Sequence, residues 1–228
     1  MFPTVHPIEL LRAVARSRHD PPGELAVEAA WGLSALASEE PAAVLPACRR
    51  LLERQPACGP LWWLSARVLT AGDPQAEADR CAGLILEDPT SDVLRRALRL
   101  EREGPSLRAV RNGGVGEVAG SDVVIVEASA VGPSSMIVPS SRRAVLQAAQ
   151  ACETPVWIES GVGRLLPPKL YASLVEHLAS MHEHGVSDVV VPLDEVAMVV
   201  GPSGSLEASE IATVPSDCPE PPELTGGW

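Results

Sequence analysis

Apolar residues recur at helical spacing through the first hundred residues of the chain. In the opening segment HPIELLRAVARSR, for example, Ile8, Leu11 and Val14 fall on one face. Prolines and glycines interrupt this spacing repeatedly and divide the region into six helical segments. The pattern therefore predicts an all-helical domain over residues 1–104.

Short, continuously apolar runs replace the helical spacing after Gly104. These runs are SDVVIVEA (121–128), TPVWIES (154–160), VSDVVVPL (186–193) and VAMVVGPSG (196–204). Helical segments separate the first three runs, and strands that are apolar on both faces and alternate with helices are typical of buried parallel sheets. Residues 105–205 are predicted to form a Rossmann-like α/β domain with a parallel sheet. The fold class is therefore α/β with an all-helical N-terminal part.

The last residues, 206–228, are polar, acidic and rich in proline, and they predict a flexible tail.

Acidic residues exceed basic ones, and most of the excess lies in the second half. The formal net charge is −12, and residues 105–228 carry 15 acidic but only six basic side chains. Such a surface repels phosphate backbones, so direct nucleic-acid binding is not expected there. The chain has no apolar run of membrane-spanning length and no N-terminal signal pattern. A cytoplasmic protein without membrane contact is predicted.

The cysteines and histidines predict neither a disulfide framework nor a metal or cofactor site. The five cysteines are odd in number and form no Cys-x-x-Cys pair. His177, His182 and His184 have spacings that do not place three imidazoles on one helix face. Trp62 and Trp63 are adjacent in an apolar helix. One of them is therefore expected to meet the second domain or another subunit, and the alternative is partial burial at the seam between the halves.

The segment GPSSMIVPSSRR, which follows the first apolar strand, is the strongest candidate binding loop. It offers hydroxyl groups from Ser134, Ser135, Ser140 and Ser141 and guanidinium groups from Arg142 and Arg143. A helix is also predicted to start within it, near Ser140. Free N–H groups at helix starts bind anions, so a phosphate or carboxylate ligand is predicted. The alternative is helix capping by Ser140 or Ser141, with the arginines bridging surface acids.

Glu127 is the candidate acid–base residue. It ends the strand SDVVIVEA, and ligand sites of α/β proteins gather at the carboxyl ends of parallel strands. The alternative is a solvated or salt-bridged carboxylate.

Four segments of this sequence resemble segments of the alpha/beta/delta regulatory-subunit family of eukaryotic initiation factor 2B. That family includes methylthioribose-1-phosphate and ribose-1,5-bisphosphate isomerases. The four segments are SDVVIVEASAV (121–131), TPVWIESGVGRLLPP (154–168), VSDVVVPLDEVAMVVGPSG (186–204) and, more weakly, QPACGPLWWLSARVL (55–69). The resemblance implies a helical domain joined to a Rossmann-like domain. It also places Arg164 near a basic position of the family and implies a homodimer or larger homo-oligomer.

The departures from the family pattern concern its chemistry. Ser129 stands where the enzymes carry a catalytic Asp, and Glu127 stands where Gly is expected. No segment matches the family's Thr-x-Cys context, and residues 70–120 are too short for one or two βα units of the family. The resemblance therefore implies a shortened, divergent and noncatalytic relative.

Three hypotheses follow for the function. The first is a noncatalytic regulatory-subunit-like protein that binds a partner subunit. It would also bind a sugar-phosphate or nucleotide ligand through Ser129, Arg164 and the candidate loop GPSSMIVPSSRR, which we call the Ser–Arg loop. The second is a sugar-phosphate isomerase-type enzyme that uses Glu127 and the same loop. The third is a helical-repeat interaction module with an α/β appendage.

Overall fold

The computed structural model describes residues 6–17, 20–100, 107–181 and 188–226. No helix in these ranges is both long and apolar enough to cross a lipid bilayer.

Six helices form the N-terminal part, as the periodicity predicts. They are α1 (Pro7–Arg16), α2 (Pro22–Glu39), α3 (Val44–Arg54), α4 (Gly59–Thr70), α5 (Pro74–Leu86) and α6 (Thr90–Leu100). Proline occupies the first turn of four of them, where its missing N–H group costs no hydrogen bond. Asp73 caps α5 by accepting a hydrogen bond from the Ala76 N–H.

The C-terminal half contains short strands and further helices. The strands are β1 (Ala109–Arg111), β2 (Val123–Glu127), β3 (Ala130–Val131), β4 (Ser135–Pro139), β5 (Val156–Glu159), β6 (Asp188–Pro192), β7 (Met198–Gly201) and β8 (Gly204–Glu207). The helices are α7 (Val115–Val118), α8 (Ser140–Ala151), α9 (Pro168–Met181) and α10 (Pro222–Thr225).

The main sheet has the order β1-β2-β5-β7-β8, and its first four strands are parallel. Only β8 runs antiparallel, as the hairpin partner of β7. The apolar runs at 121–128, 154–160 and 196–204 supply three of the parallel strands, and β2 and β5 are almost wholly buried. The predicted α/β fold with an all-helical N-terminal part and a largely parallel sheet is confirmed.

A second, three-stranded sheet was not predicted. Its order is β3-β4-β6 and its pairing is antiparallel. The candidate loop GPSSMIVPSSRR therefore contains strand β4, and the run at 186–193 belongs to this sheet rather than to the parallel one. The turn after β3 closes when the Gly132 N–H donates to the Ser135 carbonyl at 2.8 Å, and so short a connection permits only an antiparallel return.

The two halves share one hydrophobic core. The buried residues of α4 lie in the same cluster as Ala130 and Ile137 of the small sheet and Leu170 of α9. Trp62 is fully buried and makes an edge-to-face contact with His177 of α9, with 6.2 Å between the ring centroids. Trp62 thus meets the second half of the chain, which is one of the predicted outcomes. The other, partial burial at the seam, is not what the structure shows, because Trp63 is buried as well.

The helices of the N-terminal part do not stack as repeats. Helix α2 lies at their centre and packs against α1, α3, α4 and, most extensively, α5. In a repeat array each unit contacts only its sequence neighbours, so this arrangement differs from a helical-repeat module.

The segment expected to be a flexible tail is packed onto the helices through residue 226. Cys218 and Leu224 are buried in the shared core. Arg49 of α3 donates to the Glu223 carbonyl at 3.0 Å, and the Lys169 N–H donates to the Glu220 carboxylate at 2.6 Å. Its few apolar residues, although scattered among prolines, find places in the core. The flexibility of the segment stays a prediction.

The close approach of α4 to the small sheet predicts a stability effect at Gly59. An added Cβ at Gly59 would lie 2.6 Å from the Ser129 carbonyl oxygen, which is backbone and cannot swing away. Gly59→Ala should therefore lower the free energy of unfolding by about 1–3 kcal/mol. Gly83→Ala in α5, where a Cβ meets nothing within 4 Å, should leave it unchanged or raise it by up to about 1 kcal/mol.

Urea unfolding followed by circular dichroism measures both variants. Equal stability of the two alanine variants would contradict a tight contact between α4 and the small sheet.

Candidate functional site

A cavity of about 630 Å³ lies at the carboxyl ends of β1, β2 and β5. In open parallel sheets this is the edge at which ligands bind. Its floor consists of residues that end these strands or follow them, namely Arg111, Glu127, Glu159, Gly161 and Arg164. Its walls come from α2 and from the α5–α6 connection, and they include Glu24, Val27, Glu28, Trp31, Ile85, Leu86, Asp88, Thr90 and Ser91. The cavity therefore lies between the helical part and the sheet.

Glu159 and Arg111 form one ion pair on the floor. The Arg111 guanidinium donates to both carboxylate oxygens of Glu159, from Nε at 2.9 Å and from a terminal nitrogen at 2.6 Å. Ser91 donates to the same carboxylate at 3.2 Å. The Glu159 side chain is 8% exposed and the Arg111 side chain 49% exposed. The pair therefore holds a buried carboxylate through a guanidinium that reaches the cavity mouth.

Glu127 and Arg164 form the second ion pair. Arg164 is buried and donates both to the Glu127 carboxylate and to the backbone carbonyl of Ala128. The Glu127 side chain is 40% exposed, so it keeps contact with the cavity space. Glu127 is therefore a salt-bridged carboxylate, which is the alternative that the sequence left open for it.

The two carboxylates are neighbours across the sheet. Glu127 and Glu159 end β2 and β5, and they are direct partners in the parallel register. Adjacent strands lie about 4.8 Å apart, so the two negatively charged carboxylates lie side by side on the floor of the cavity. The arginine on each carboxylate offsets their mutual repulsion.

Asp88 fixes the far wall. One carboxylate oxygen accepts from the N–H and the hydroxyl of Thr90 at the start of α6, and the other accepts from the Val162 N–H at 2.8 Å. This links α6 to the loop that follows β5. A Cβ at Gly161 would lie 2.5 Å from the Asp88 carboxylate, so the loop needs glycine there. Thr90 is the first residue of α6, and Asp88 caps the helix through these hydrogen bonds.

Of the predicted site residues, only Glu127 and Arg164 line this cavity. Ser129 is buried next to β3, where its N–H donates to the Ile137 carbonyl of β4 and its hydroxyl lies 3.4 Å from a carboxylate oxygen of Asp188. Ser135 shares a hydrogen bond of 3.0 Å with the hydroxyl of Tyr171. Neither serine is among the residues that line the cavity.

The remaining hydroxyls of the predicted loop are on the surface. Ser134, Ser140 and Ser141 are exposed, and Pro139 is the residue before α8. The structure shows no side-chain hydrogen bond at that helix cap, so capping by Ser140 or Ser141 is not seen either.

The two arginines of the loop contact other elements. Arg142 donates to the carbonyls of Asn112 and Gly113 at 2.9 and 3.4 Å. Asn112 in turn accepts from the Glu127 N–H at 3.4 Å, so Arg142 supports the turn beside the cavity. Arg143 approaches the Glu195 carboxylate at 3.3 Å, as the surface-bridge alternative predicts.

No cysteine, histidine or lysine is among the residues that line the cavity. Cys58 lies nearby, at the start of α4, and its thiol donates to the Pro22 carbonyl at 3.6 Å. Burial raises the pKa of this thiol to about 12, so it stays protonated at neutral pH.

The described residues contain no group of three metal-ligating side chains. His177 contacts Trp62, and the predictions for His182 and His184 fall outside the described residues.

Sequence reasoning missed Arg111, Glu159, Asp88 and Ser91. A usable signal existed for one of them, because the apolar runs VVIVE and VWIE both end in glutamate. Parallel strands place such ends at the same edge of a sheet, so Glu159 should have been considered with Glu127.

The ion pair between Arg111 and Glu159 predicts energetic coupling that a surface pair lacks. A double-mutant cycle with Arg111→Gln and Glu159→Gln should give a coupling energy of about 1–3 kcal/mol in urea unfolding, because Glu159 is buried. The matched control is the pair of Arg95 and Asp92 on α6, whose side chains are both more than 60% exposed. Its coupling energy should stay below about 0.5 kcal/mol. Equal coupling in the two cycles would contradict the described geometry.

Comparison with known proteins identifies the fold. No family model and no curated protein matches the sequence. Solved structures do match. The translation initiation factor eIF-2B of Pyrococcus horikoshii OT3 superimposes with a TM-score of 0.67 and 11% identity, covering 90% of this chain and 98% of that one.

Two further solved structures agree with this result. The tetrameric eIF2B-beta2-delta2 complex from C. thermophilum gives a TM-score of 0.67 and 14% identity over 91% of this chain and 92% of that one. The 5-methylthioribose 1-phosphate isomerase of Pyrococcus horikoshii OT3 gives 0.53 and 12% over 91% and 86%. Such low identities establish the fold and leave the activity open. The chain is therefore a divergent protein with the fold that initiation factor 2B regulatory subunits share with methylthioribose-1-phosphate isomerase.

Proposed function

We propose that this chain is a noncatalytic, regulatory-subunit-like protein that associates with a partner subunit and holds a small polar molecule in the strand-end cavity. The observation that carries the proposal is the state of the two strand-end carboxylates. Glu127 and Glu159 are each bound by an arginine, and no thiol accompanies them among the lining residues. The cavity has the form of an active site but its acids are held in ion pairs.

The position of Ser129 supports the noncatalytic role. By resemblance, this residue stands where the isomerases carry their catalytic Asp. Here it is a buried hydroxyl that is not among the lining residues and has a carboxylate of β6 as its neighbour. A proton-transferring group must reach the reacting atoms of the substrate, and the absence of Ser129 from the cavity lining argues against such a role.

The charges of the cavity favour a ligand rich in hydroxyl groups over one that is mainly phosphate. Among the residues that the structure describes, five carboxylates but only two guanidinium groups line the cavity. Carboxylates accept hydrogen bonds from ligand hydroxyls, whereas they repel phosphate oxygens. Of the two guanidinium groups, only that of Arg111 is substantially exposed. A sugar or nucleoside therefore suits the carboxylates of the cavity, and a phosphate group would have to lie at Arg111.

The edge of the small sheet supports association with a second subunit. Strand β6 pairs only with β4 among the described strands, and its Val190 is 41% exposed. An edge strand that presents an apolar side chain is a ready surface for subunit contact. The similar beta2-delta2 structure is a tetrameric complex, which agrees with an oligomeric partner.

An isomerase-type enzyme remains the second candidate because Glu127 and Glu159 are register partners at the strand ends. Two carboxylates facing one cavity can serve as an acid–base pair. In that case Glu127 would have to leave Arg164 during the reaction.

Ligand-induced thermal stabilisation tests the proposed binding. Ribose, adenosine, ribose 5-phosphate and AMP are added separately to the native chain. A ligand at a hundred times its Kd adds about 2.7 kcal/mol of stability, which raises the Tm of a chain of this size by about 5–10 °C. We expect ribose or adenosine to give a larger rise than its phosphorylated form.

Glu127→Ala should reduce this rise, because it removes the half-exposed acceptor on the cavity floor. The matched control, Glu176→Ala, removes an exposed carboxylate of α9 outside the cavity and should keep the rise. No rise with any of the four ligands, or the same rise in both variants, would contradict the proposal. A larger rise with the phosphorylated forms would contradict the preference for hydroxyl groups.

A further inference from the structure

A second cavity, of about 410 Å³, lies between α1 and α3, and none of its lining residues belongs to the strand-end cavity. Its floor is apolar and its rim carries four arginines. The floor consists of Ile8, Leu11, Ala15, Ala47 and Leu51, and the rim consists of Arg12, Arg16, Arg50 and Arg54. We refer to these nine residues as the arginine groove.

The spacing of residues on each helix produces the groove. On α1 the arginines at 12 and 16 lie one turn apart, and on α3 those at 50 and 54 do the same. Residues four apart project from the same side of a helix, so each helix presents a short row of two guanidinium groups. Because α1 packs against α3, the two rows border one apolar floor.

The arginines of the groove are available for a partner. Arg12 pairs with Glu9, and Arg50 approaches Glu53 at 3.4 Å, but both are exposed pairs within one helix. Exposed pairs of this kind contribute at most about 1 kcal/mol, so a better partner displaces them at small cost.

The other two arginines, Arg16 and Arg54, are exposed and have no ion pair in the part of the chain that the structure describes. The groove lining contains no carboxylate from the residues that the structure describes. In a chain with a net charge of −12, the groove is thus a local basic surface around an apolar centre.

We propose that the arginine groove binds an acidic amphipathic helix of a partner protein. Apolar side chains of that helix at spacings of three and four residues would enter the floor, and its flanking carboxylates would pair with the arginines of both rows. Helix α1 has ten residues, or about 15 Å, so the groove accommodates about three turns of the partner.

Two observations favour this occupant over other anions. The four guanidinium groups are spread along two helices, which suits several separate carboxylates better than a single phosphate. The apolar floor requires a partner with an apolar face, which a nucleic-acid backbone lacks, and the negative charge of the whole chain opposes nucleic acid.

Fluorescence anisotropy with the full chain tests the proposal. The probe is a labelled twelve-residue peptide with leucines at positions 1, 4, 5 and 8 and glutamates on both flanks, and the control peptide has the same composition in scrambled order. We expect saturable binding of the amphipathic peptide, weakening as salt is raised, and at least tenfold weaker binding of the scrambled peptide. No saturable binding, or equal binding of the two peptides, would overturn the proposal.

Charge reversal locates the binding. Arg16→Glu with Arg54→Glu should weaken the peptide's Kd by about tenfold or more, since it places two like charges against the peptide. The matched control is Arg95→Glu with Arg96→Glu on α6, outside the groove, which should change the Kd less than threefold. Equal weakening in the two variants would overturn the assignment to this groove.

Two further measurements control for misfolding of the variant and for binding of other anionic ligands. If the charge-reversed variant fails to fold by circular dichroism, Arg16→Gln with Arg54→Gln serves in its place and should weaken binding at least threefold. A labelled RNA oligonucleotide and anionic lipid vesicles are tested against the native chain in parallel. Binding of either one more tightly than the peptide, with loss in the groove variant, would overturn the choice of an acidic helix.

Discussion

The contact between the start of α4 and the small sheet determines the arrangement of the whole molecule. The Gly59 N–H donates to the Ser129 carbonyl at 3.1 Å, and no room remains for a side chain at Gly59. Trp62, one turn later, extends the same contact to α9. Because α2 packs against α4, this junction also holds the first turns of α2 over the strand ends. The cavity is a consequence of how the halves join.

The chemistry at the floor of the cavity follows from two neighbouring strands that both end in glutamate. Parallel pairing places Glu127 beside Glu159, and burial of the second makes an unpaired arrangement costly. Arg111 and Arg164 offset this cost from opposite sides, one at the mouth and one in the interior. The cavity thus lies at the edge where open parallel sheets bind ligands, and both of its strand-end carboxylates are held in ion pairs.

Sequence reasoning predicted the parts of the fold that depend on local pattern. Prolines and helical spacing located α1–α6, and uninterrupted apolar runs located β2, β5 and β7. The small sheet was missed because β4 begins with serine and ends with proline, which locally resemble a loop. The ion pairs were missed for a different reason: Arg111 and Glu159 are 48 residues apart, and only the strand register brings them together.

The resemblance to the initiation factor 2B family was correct at the level of the fold, although it rested on short phrases. It placed Ser129 at a catalytic position, but only the structure shows that its hydroxyl lies near the Asp188 carboxylate and that Ser129 does not line the cavity. Glu127 and Arg164 were both named from the sequence for separate reasons. Their direct contact joins two independent predictions at one site.

We propose that the strand-end cavity binds its ligand without converting it, and a turnover measurement distinguishes the two possibilities. Proton and phosphorus NMR spectra of ribose 5-phosphate, ribose 1,5-bisphosphate and 5-methylthioribose 1-phosphate are followed for a day with stoichiometric native protein. If the cavity only binds, the spectra should match those of the protein-free samples throughout. Conversion of any of the three substrates that disappears in Glu127→Gln would contradict the proposal and would establish an enzyme.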